Sequence, residues 1–461
     1  MRHLSLLSLI ILSVWLLASC QEQPETPALQ TPISSADEAS ISPEADSPSP
    51  AVPATSTAET KPDNVQAEST KVVLVPMVIS DLATDMPPEA PTTQPGSSPT
   101  EPIPTATPNN PVPSDLQLDR KKFGVQIHLH REDLGLILSH LRALGVGWVK
   151  VQVSWKIYEP EPGRYDDYRF TELDNLVAAA TANDIDVLLG VAKAPEWSRP
   201  TTELDGPPSD FVHFQSFMET LATRYQGQVA AYELWNEANL QREWNGAPLN
   251  AVDLVTLIRT GAAGVRAADP EAILISGAPA TTGINDGVTA IDDRVFMGQM
   301  IAAGVTEVVD AIGAHPYGWA NPPDSSAAAP DPNVPSHNNH PSFFFADTLL
   351  DYRALLNQGG YQDTPIWVTE FGWGSYVGLG VAPPPGVEYM AAVNEQQQAT
   401  YTVRAYEMAD DWPGIGPLIL WNLNFAPTFG EEYVESAYSL LGIDGSPRPV
   451  YFALSALDKL D

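Results

Sequence analysis

The fold predicted for residues 116–461 is α/β, a closed parallel (β/α)8 or TIM barrel. Three observations predict it. From Leu116 onward short apolar runs alternate with amphipathic stretches; eight such alternations fit into roughly 340 residues; and no Gly-rich nucleotide fingerprint favours the competing doubly wound open sheet. The first unit is a strand at Phe123 to His128 and a helix whose apolar face is Leu134, Ile137, Leu138, Leu141 and Leu144. The second pairs Trp148 to Val153 with a helix over Thr171 to Asn183. The third pairs Asp186 to Val191 with the face Phe211, Phe214, Phe217, Met218 and Leu221. Ala231 to Trp235 precedes a helix at Asp253 to Ala268, which the Asp269-Pro270 pair ends. Ile273 to Ser276 leads into Arg294 to Ala303, and Val309 to Ala314 into Ala346 to Asn357. The last two units are Ile366 to Thr369 with Asn394 to Asp410, and Pro417 to Trp421 with Tyr451 to Leu457. Each strand is short and apolar, as strands buried on both faces are, and each helix repeats its apolar residues at the spacing that packs on a sheet.

Ahead of this region the texture differs. Residues 1–19 carry a basic start, an apolar run from Leu4 to Ala18 and a small-residue exit, the pattern of a secretory signal and shorter than a membrane span. Leu17-Ala18-Ser19-Cys20 resembles the lipobox of bacterial lipoproteins, which implies cleavage before Cys20 and a lipid on that residue. Cys20 is the only cysteine, so no disulfide framework is available. The expected location is exported and lipid-anchored at the outer face of a bacterial cell membrane. Residues 20–115 are dominated by Pro, Ser, Thr, Ala and Glu and hold nearly half of the 44 prolines, with almost no aromatic residue; no core forms from such a segment, and it reads as a spacer. The apolar run Val72 to Ile79 within it reads as an unstructured patch without assigned function.

A formal net charge of −35 disfavours nucleic acid as a partner, because phosphate binding requires clustered Lys and Arg. The sequence has no P-loop and no dinucleotide fingerprint, so no cofactor is expected. His337 and His340 lie close together but without cysteines or helical spacing, so no metal site is expected either.

In a barrel of this kind ligands sit at the C-terminal ends of the strands. The fourth predicted strand ends Glu233-Leu234-Trp235-Asn236-Glu237-Ala238-Asn239, and the seventh ends Trp367-Val368-Thr369-Glu370-Phe371-Gly372-Trp373. A glutamate closing an apolar strand needs a partner or a task. Two of them facing one barrel mouth suit cleavage of a glycosidic bond, where one carboxylic acid protonates the leaving oxygen and one carboxylate attacks or stabilises the oxocarbenium-like centre.

The region resembles clan A of the glycoside hydrolases, with families 39 and 5 nearest. Trp235-Asn236-Glu237-Ala238-Asn239 and Thr369-Glu370-Phe371-Gly372-Trp373 carry the resemblance, together with Trp155, the Glu159-Pro160-Glu161-Pro162-Gly163 turn, Ala314-His315-Pro316-Tyr317 and Trp421. The resemblance implies a retaining mechanism with Glu237 as acid/base, Glu370 as nucleophile and Asn236 on the sugar 2-hydroxyl. Glu237 is then expected protonated, in an apolar setting beside another carboxylate, and Glu370 ionised, with Tyr317 and His315 as its donors. A core histidine bonded to backbone is the alternative for His315. Relatives often carry arginine beneath the nucleophile; here Lys150 stands in Val149-Lys150-Val151-Gln152-Val153-Ser154-Trp155, and it either orients Glu370 or faces outward with no role.

Trp155, Trp197, Trp319, Trp373 and Trp421 gather at strand ends. Sugar faces stack on indoles, and Trp421 and Trp155 are the first choices as platforms, with Trp197 after them. His128 either binds a sugar hydroxyl or caps the first strand. The long stretch from Gly318 to Pro341 is expected either to wall the cleft or to be disordered, and to help set substrate choice. The partner expected is an oligo- or polysaccharide, besides the membrane reached through Cys20. Two other functions compete: a surface carbohydrate-binding protein that lost turnover, against which both glutamates in intact contexts speak, and a transglycosylase, which shares the covalent intermediate.

Overall fold

The structure, a computed structural model, describes residues Leu116–Leu460. The expectations for residues 1–19, Cys20, the spacer to residue 115 and the Val72 to Ile79 run lie outside the described residues.

Among the described residues ten strands form: β1 (Gln117–Asp119), β2 (Phe123–Ile127), β3 (Trp148–Ser154), β4 (Asp186–Ala192), β5 (Ala231–Leu234), β6 (Ile273–Ser276), β7 (Ile312–Ala314), β8 (Ile366–Phe371), β9 (Ile415–Leu420) and β10 (Asp458–Leu460). The helices are α1 (Leu134–Leu144), α2 (Trp155–Tyr158), α3 (Asp167–Ala182), α4 (Val212–Arg224), α5 (Ala251–Ala268), α6 (Asp293–Ala302), α7 (Phe345–Gln358), α8 (Glu395–Asp411), α9 (Phe425–Phe429) and α10 (Pro449–Ser455). Strands β2 to β9 are the eight predicted ones. They lie in the order β6-β5-β4-β3-β2-β9-β8-β7, with every strand pairing parallel. Bridges Ile275↔Ala311 and Ala280↔His315 draw the two ends of this sheet together, giving the (β/α)8 barrel. A separate parallel pair joins β1 to β10.

Helix ends follow local chemistry. Asp133, Asp166, Asn250 and Asp292 accept backbone N–H groups at the starts of α1, α3, α5 and α6, and Asn394 with Gln397 forms a capping box on α8. Asp269 of the Asp269-Pro270 pair is the residue on which α5 ends. Among the described residues no helix is long and apolar enough to cross a membrane.

The strand period of two sorts the barrel into layers. Trp148, Leu188, Ala231, Ile275, Ala311, Trp367 and Ile419 form an apolar cluster of their own, distinct from the main core. Val149, Val151 and Val153, one step out of phase, belong to the main core with the helices. Two residues beyond the inner cluster, the same strand face carries Lys150, Gly190, Glu233 and Thr369. The barrel interior is therefore apolar below and charged above. Gly190 leaves room for this layer, since a Cβ on it would lie 3.1 Å from Lys150 Cε and 3.4 Å from Glu233 Oε2.

Candidate active site

Glu237 follows β5 in a turn where Trp235 and Glu237 both have positive φ (82° and 44°). Such backbone persists only where the surroundings hold it. Trp235 is buried against Phe214 and Trp244, and Glu237 N–H donates to Ala278 O at 2.9 Å. The Asn239 side chain ties the turn to Ala280 and Ile291. Gly277 lets the two segments touch, since a Cβ on it would lie 2.7 Å from Leu234 O.

Glu370 closes β8 and is 4% exposed. Lys150 Nζ donates to its Oε1 at 3.1 Å and Tyr317 OH to its Oε2 at 3.0 Å. Lys150 is fully buried and also donates to Thr369 O at 3.1 Å, while Glu233 Oε2 lies 2.8 Å from its ammonium. All three lysine N–H groups thus have acceptors. The outward-facing alternative for Lys150 is excluded, because its strand parity puts it inside the barrel. Glu233, to which sequence reasoning gave no role, is the second carboxylate on Lys150 and accepts the Thr369 hydroxyl at 2.7 Å.

His315 is also fully buried, and its place differs from expectation. Its Nδ1 lies 3.1 Å from Glu237 Oε1 but 3.8 Å from Glu370 Oε2, too long for a hydrogen bond, so its partner is the other glutamate. Nε2 lies 3.8 Å from Glu233 Oε1. Nor is Glu237 in an apolar setting. Arg242 donates to its Oε2 at 3.2 Å. Burial alone would raise the Glu237 carboxyl, but the hydrogen bond and charge of His315, then Arg242, outweigh it and hold the group below the usual range. Burial likewise opposes a charged His315, and Glu370, Glu237 and Glu233 together raise it. Charge counting agrees: three carboxylates face Lys150 and Arg242, and a protonated His315 makes the cluster neutral. The proton sits on the histidine side of the His315–Glu237 pair.

One oxygen each of Glu237 and Glu370 and one nitrogen of His315 lie within 4.8 Å of one another. Metal ligands can be spaced so, but the Lys150 ammonium at 3.1 Å and the Tyr317 hydroxyl at 3.0 Å already occupy Glu370, and a cation there would face an ammonium. The donor set suits proton transfer and charge stabilisation.

A cavity opens beside this cluster. Glu370, Asn236, His128, Gln126, Ser154, Glu243, Trp421, Phe425 and Tyr433 are among its lining residues, a mix of aromatic faces and a few polar groups that suits a sugar. Glu237 is not among the lining residues and is 2% exposed. Trp421 packs on Phe425. His128 is bonded through Nε2 to Asn424 O at 3.0 Å, and burial pushes its pKa down to about 4, so it meets a ligand neutral.

Trp155 and Trp197 are not in this cavity. Trp155 is fully buried, stacks on Phe217 at 5.3 Å and donates from Nε1 to Glu159 Oε2 at 2.7 Å. Its parity is that of Val149, Val151 and Val153, which turns it toward α4. Trp197 donates to Glu159 O at 2.9 Å and packs edge-on against Trp155. Both hold the turn at Glu159 through Gly163 instead of a sugar. Trp373 is buried against Phe345, and Trp319 stacks on His337. The Gly318 to Pro341 stretch, expected to wall the cleft, contributes none of the lining residues; the Asn321 side chain folds it back by donating to His337 O and Phe343 O.

The family model for Cellulase (glycosyl hydrolase family 5) matches residues 119–403, more than half of the chain. No curated protein matches. Among solved structures, a family 39 glycoside hydrolase from the gut symbiont Bacteroides cellulosilyticus WH2 is 19% identical with a TM-score of 0.55; the match covers 74% of this chain and 64% of that one. A glucosidase from Croceicoccus marinus is 14% identical over 75% of this chain and 68% of the other, with a TM-score of 0.52. A GH5_18 structure from Streptomyces cattleya in complex with Manβ1-4GlcNAc is 15% identical over 72% and 79%, with a TM-score of 0.51. At these identities the likeness is one of fold, and the chain spans less than two thirds of the family 39 structure. The matched family model, covering the barrel from β1 into α8 and both glutamates, places this chain in the cellulase family, glycosyl hydrolase family 5.

Proposed function

We propose that the chain cleaves β-linked glycosides of oligo- or polysaccharides by double displacement, with Glu370 as nucleophile and Glu237 as acid/base. The observation that carries this reading is the approach of Glu237 and Glu370 oxygens to within 4.8 Å. An approach this close favours the short carboxyl spacing of retaining enzymes, about 5–5.5 Å, over the about 6.5–9.5 Å of inverting ones. Lys150 and Tyr317 orient Glu370 by hydrogen bonds to its two oxygens. Glu370 attacks the anomeric carbon as the bond to the leaving oxygen breaks, and that oxygen takes a proton from Glu237. The proton comes from the His315–Glu237 pair, where His315 stores it. Glu237 then accepts a proton from water, whose oxygen attacks the anomeric carbon and releases Glu370. Asn236, Trp421 and His128 supply sugar contacts at the cavity wall. The β linkage is taken from the Streptomyces cattleya structure bound to Manβ1-4GlcNAc.

The test is turnover of phenyl β-D-glucoside and phenyl β-D-mannoside by the wild type and by Glu370→Ala and Glu237→Ala, with and without azide. Each substitution is expected to lower kcat/KM by at least about 10³-fold. Azide should rescue Glu370→Ala with an α-glycosyl azide and Glu237→Ala with a β-glycosyl azide. Wild-type turnover by Glu370→Ala overturns the mechanism.

Export and lipid anchoring through Cys20 belong to the same proposal, supported by the lipobox-like Leu17-Ala18-Ser19-Cys20. Mass spectrometry of the membrane-fraction protein is expected to find an acylated Cys20 at the N-terminus. An unmodified Cys20 overturns this part.

A further inference from the structure

We infer that Glu243 is a positioning residue for the reaction proposed above: it competes with Glu237 for the guanidinium of Arg242 and so governs when Glu237 is released to act as the acid. The inference rests on Glu237 being that acid. In the structure Arg242 donates to Glu237 Oε2 at 3.2 Å, and its Nε lies 3.8 Å from Glu243 Oε1. One carboxyl holds the guanidinium and the second stands just beyond hydrogen-bond reach. Glu237, which must deliver a proton to the ligand, is not among the residues lining the cavity, whereas Glu243, 5% exposed, is one of them. An acid bonded to arginine is stabilised as its carboxylate and cannot donate, so the arginine contact must loosen for catalysis.

The surroundings of both groups allow Glu243 to do this. Glu243 is faced by Arg242 and Glu237 from its own turn, by Lys193 at the end of β4 and by Asp205 in the loop that follows. Lys193 is held by Asp205 at 3.1 Å, and Lys156 bonds the other oxygen of the same aspartate, also at 3.1 Å. Lys193 and Arg242 both pull on Glu243, Lys193 the more strongly, and Arg242 is the one that Glu237 also holds. Glu237 is faced by Arg242 and by His315 on β7, with Glu233 and Glu370 beyond the histidine. Burial pushes Glu243 up to about 7, against the pull of Lys193 and Arg242. Near neutrality it therefore exists in both forms. Protonated, it leaves Arg242 to Glu237. Ionised, it draws the guanidinium and repels the Glu237 carboxylate, and both effects favour the protonated, donating form of Glu237.

The sign of the effect follows. Glu243→Gln fixes the neutral state, commits Arg242 to Glu237 and lowers the pH at which Glu237 loses its proton. With the full chain and phenyl β-D-glucoside or phenyl β-D-mannoside, the alkaline limb of kcat/KM is expected to move to lower pH by about 0.5 unit or more. Activity is then reduced more at pH 8 than at pH 5. With the matching 2,4-dinitrophenyl glycoside, whose leaving group needs no proton, the limb is expected to stay in place, a distinction that general disruption of the fold does not produce. Arg242→Gln is expected to move the limb to higher pH and to abolish the further effect of Glu243→Gln. An unshifted limb in Glu243→Gln with the phenyl substrate, or an equal shift in the Arg242→Gln background, overturns the inference. Glu237→Gln run alongside separates the two levels. If it kills phenyl-glycoside turnover while Glu243→Gln shifts nothing, only this inference falls. Turnover at the wild-type rate by Glu237→Gln, or none by the wild type, overturns the acid assignment and this inference together.

Discussion

Replacing Lys150 by methionine keeps the length of the side chain and removes the charge that Glu233 and Glu370 share. The ammonium is fully buried, 2.8 Å from Glu233 Oε2 and 3.1 Å from Glu370 Oε1. Deleting one partner of a buried ionic set costs about 3–5 kcal/mol, because the remaining charges have neither partner nor water. With an unfolding entropy of about 2.1 cal/mol/K per residue over residues 116–460, that corresponds to a drop in Tm of about 4–7 °C near pH 7.5. The pH dependence is diagnostic. Burial would lower the pKa of Lys150, but Glu233 and Glu370 raise it, so its contribution is present throughout the neutral and acid range and is lost only as pH rises through the elevated folded value. The Tm gap to wild type is therefore expected at pH 4.5 as well as at pH 7.5. Activity is expected to fall by at least about 100-fold at neutral pH, since Glu370 loses the buried cation and hydrogen bond that orient it. Differential scanning calorimetry at the two pH values, with kcat/KM on the same samples, reads both. A variant within about 1 °C of wild type at both pH values, with unchanged kcat/KM, refutes the reasoning.

Tyr317→Phe removes a hydrogen bond to Glu370 Oε2; a bond to a charged group contributes about 1.5–3 kcal/mol, so kcat/KM is expected to fall about 10- to 100-fold with little change in KM. Trp155→Phe leaves Glu159 Oε2 without its indole donor; Tm is expected to fall by about 1–4 °C while KM stays at the wild-type value, and a KM rise with unchanged Tm would restore Trp155 to the sugar site. Asp293 is buried beneath Ser342 and Tyr352, and burial pushes its pKa up to about 6 despite Arg294. The folded protein binds this proton more tightly than the unfolded chain, so stability falls as pH rises from about 4 to 6. Asp293→Asn is expected to flatten that part of the Tm profile, and an unaltered slope contradicts the assignment.

The eight strand–helix units were legible because each buried strand is an uninterrupted apolar run and each helix repeats at its own period. Expected and observed bounds agree within a few residues, and Ile273 to Ser276 coincides. Glu237 and Glu370 stood out as acidic residues closing such runs. The orientation of Lys150 was also within reach: Trp148, Lys150, Gln152 and Ser154 alternate with Val149, Val151 and Val153, and the only polar residues of the strand share one face. Followed one residue further, the same alternation turns Trp155 away from the mouth, and applied to β5 it puts Glu233 beside Lys150. The pairing of His315 with Glu237 instead of Glu370 was not legible, since it depends on about 1 Å of relative placement between two strand ends. Arg242 and Glu243 lie in an irregular turn with no period to read, and their charges signal nothing until the fold brings them to Glu237.

The most direct test of a covalent role for Glu370 is mass spectrometry of the protein after incubation with a 2,4-dinitrophenyl 2-deoxy-2-fluoro-β-D-glycoside, which slows breakdown of a glycosyl-enzyme more than its formation. One sugar per chain on the peptide that contains Glu370, absent in Glu370→Gln, is the expected result. A label on any other residue, or an unlabelled protein that releases product of inverted configuration from phenyl glycosides, contradicts it.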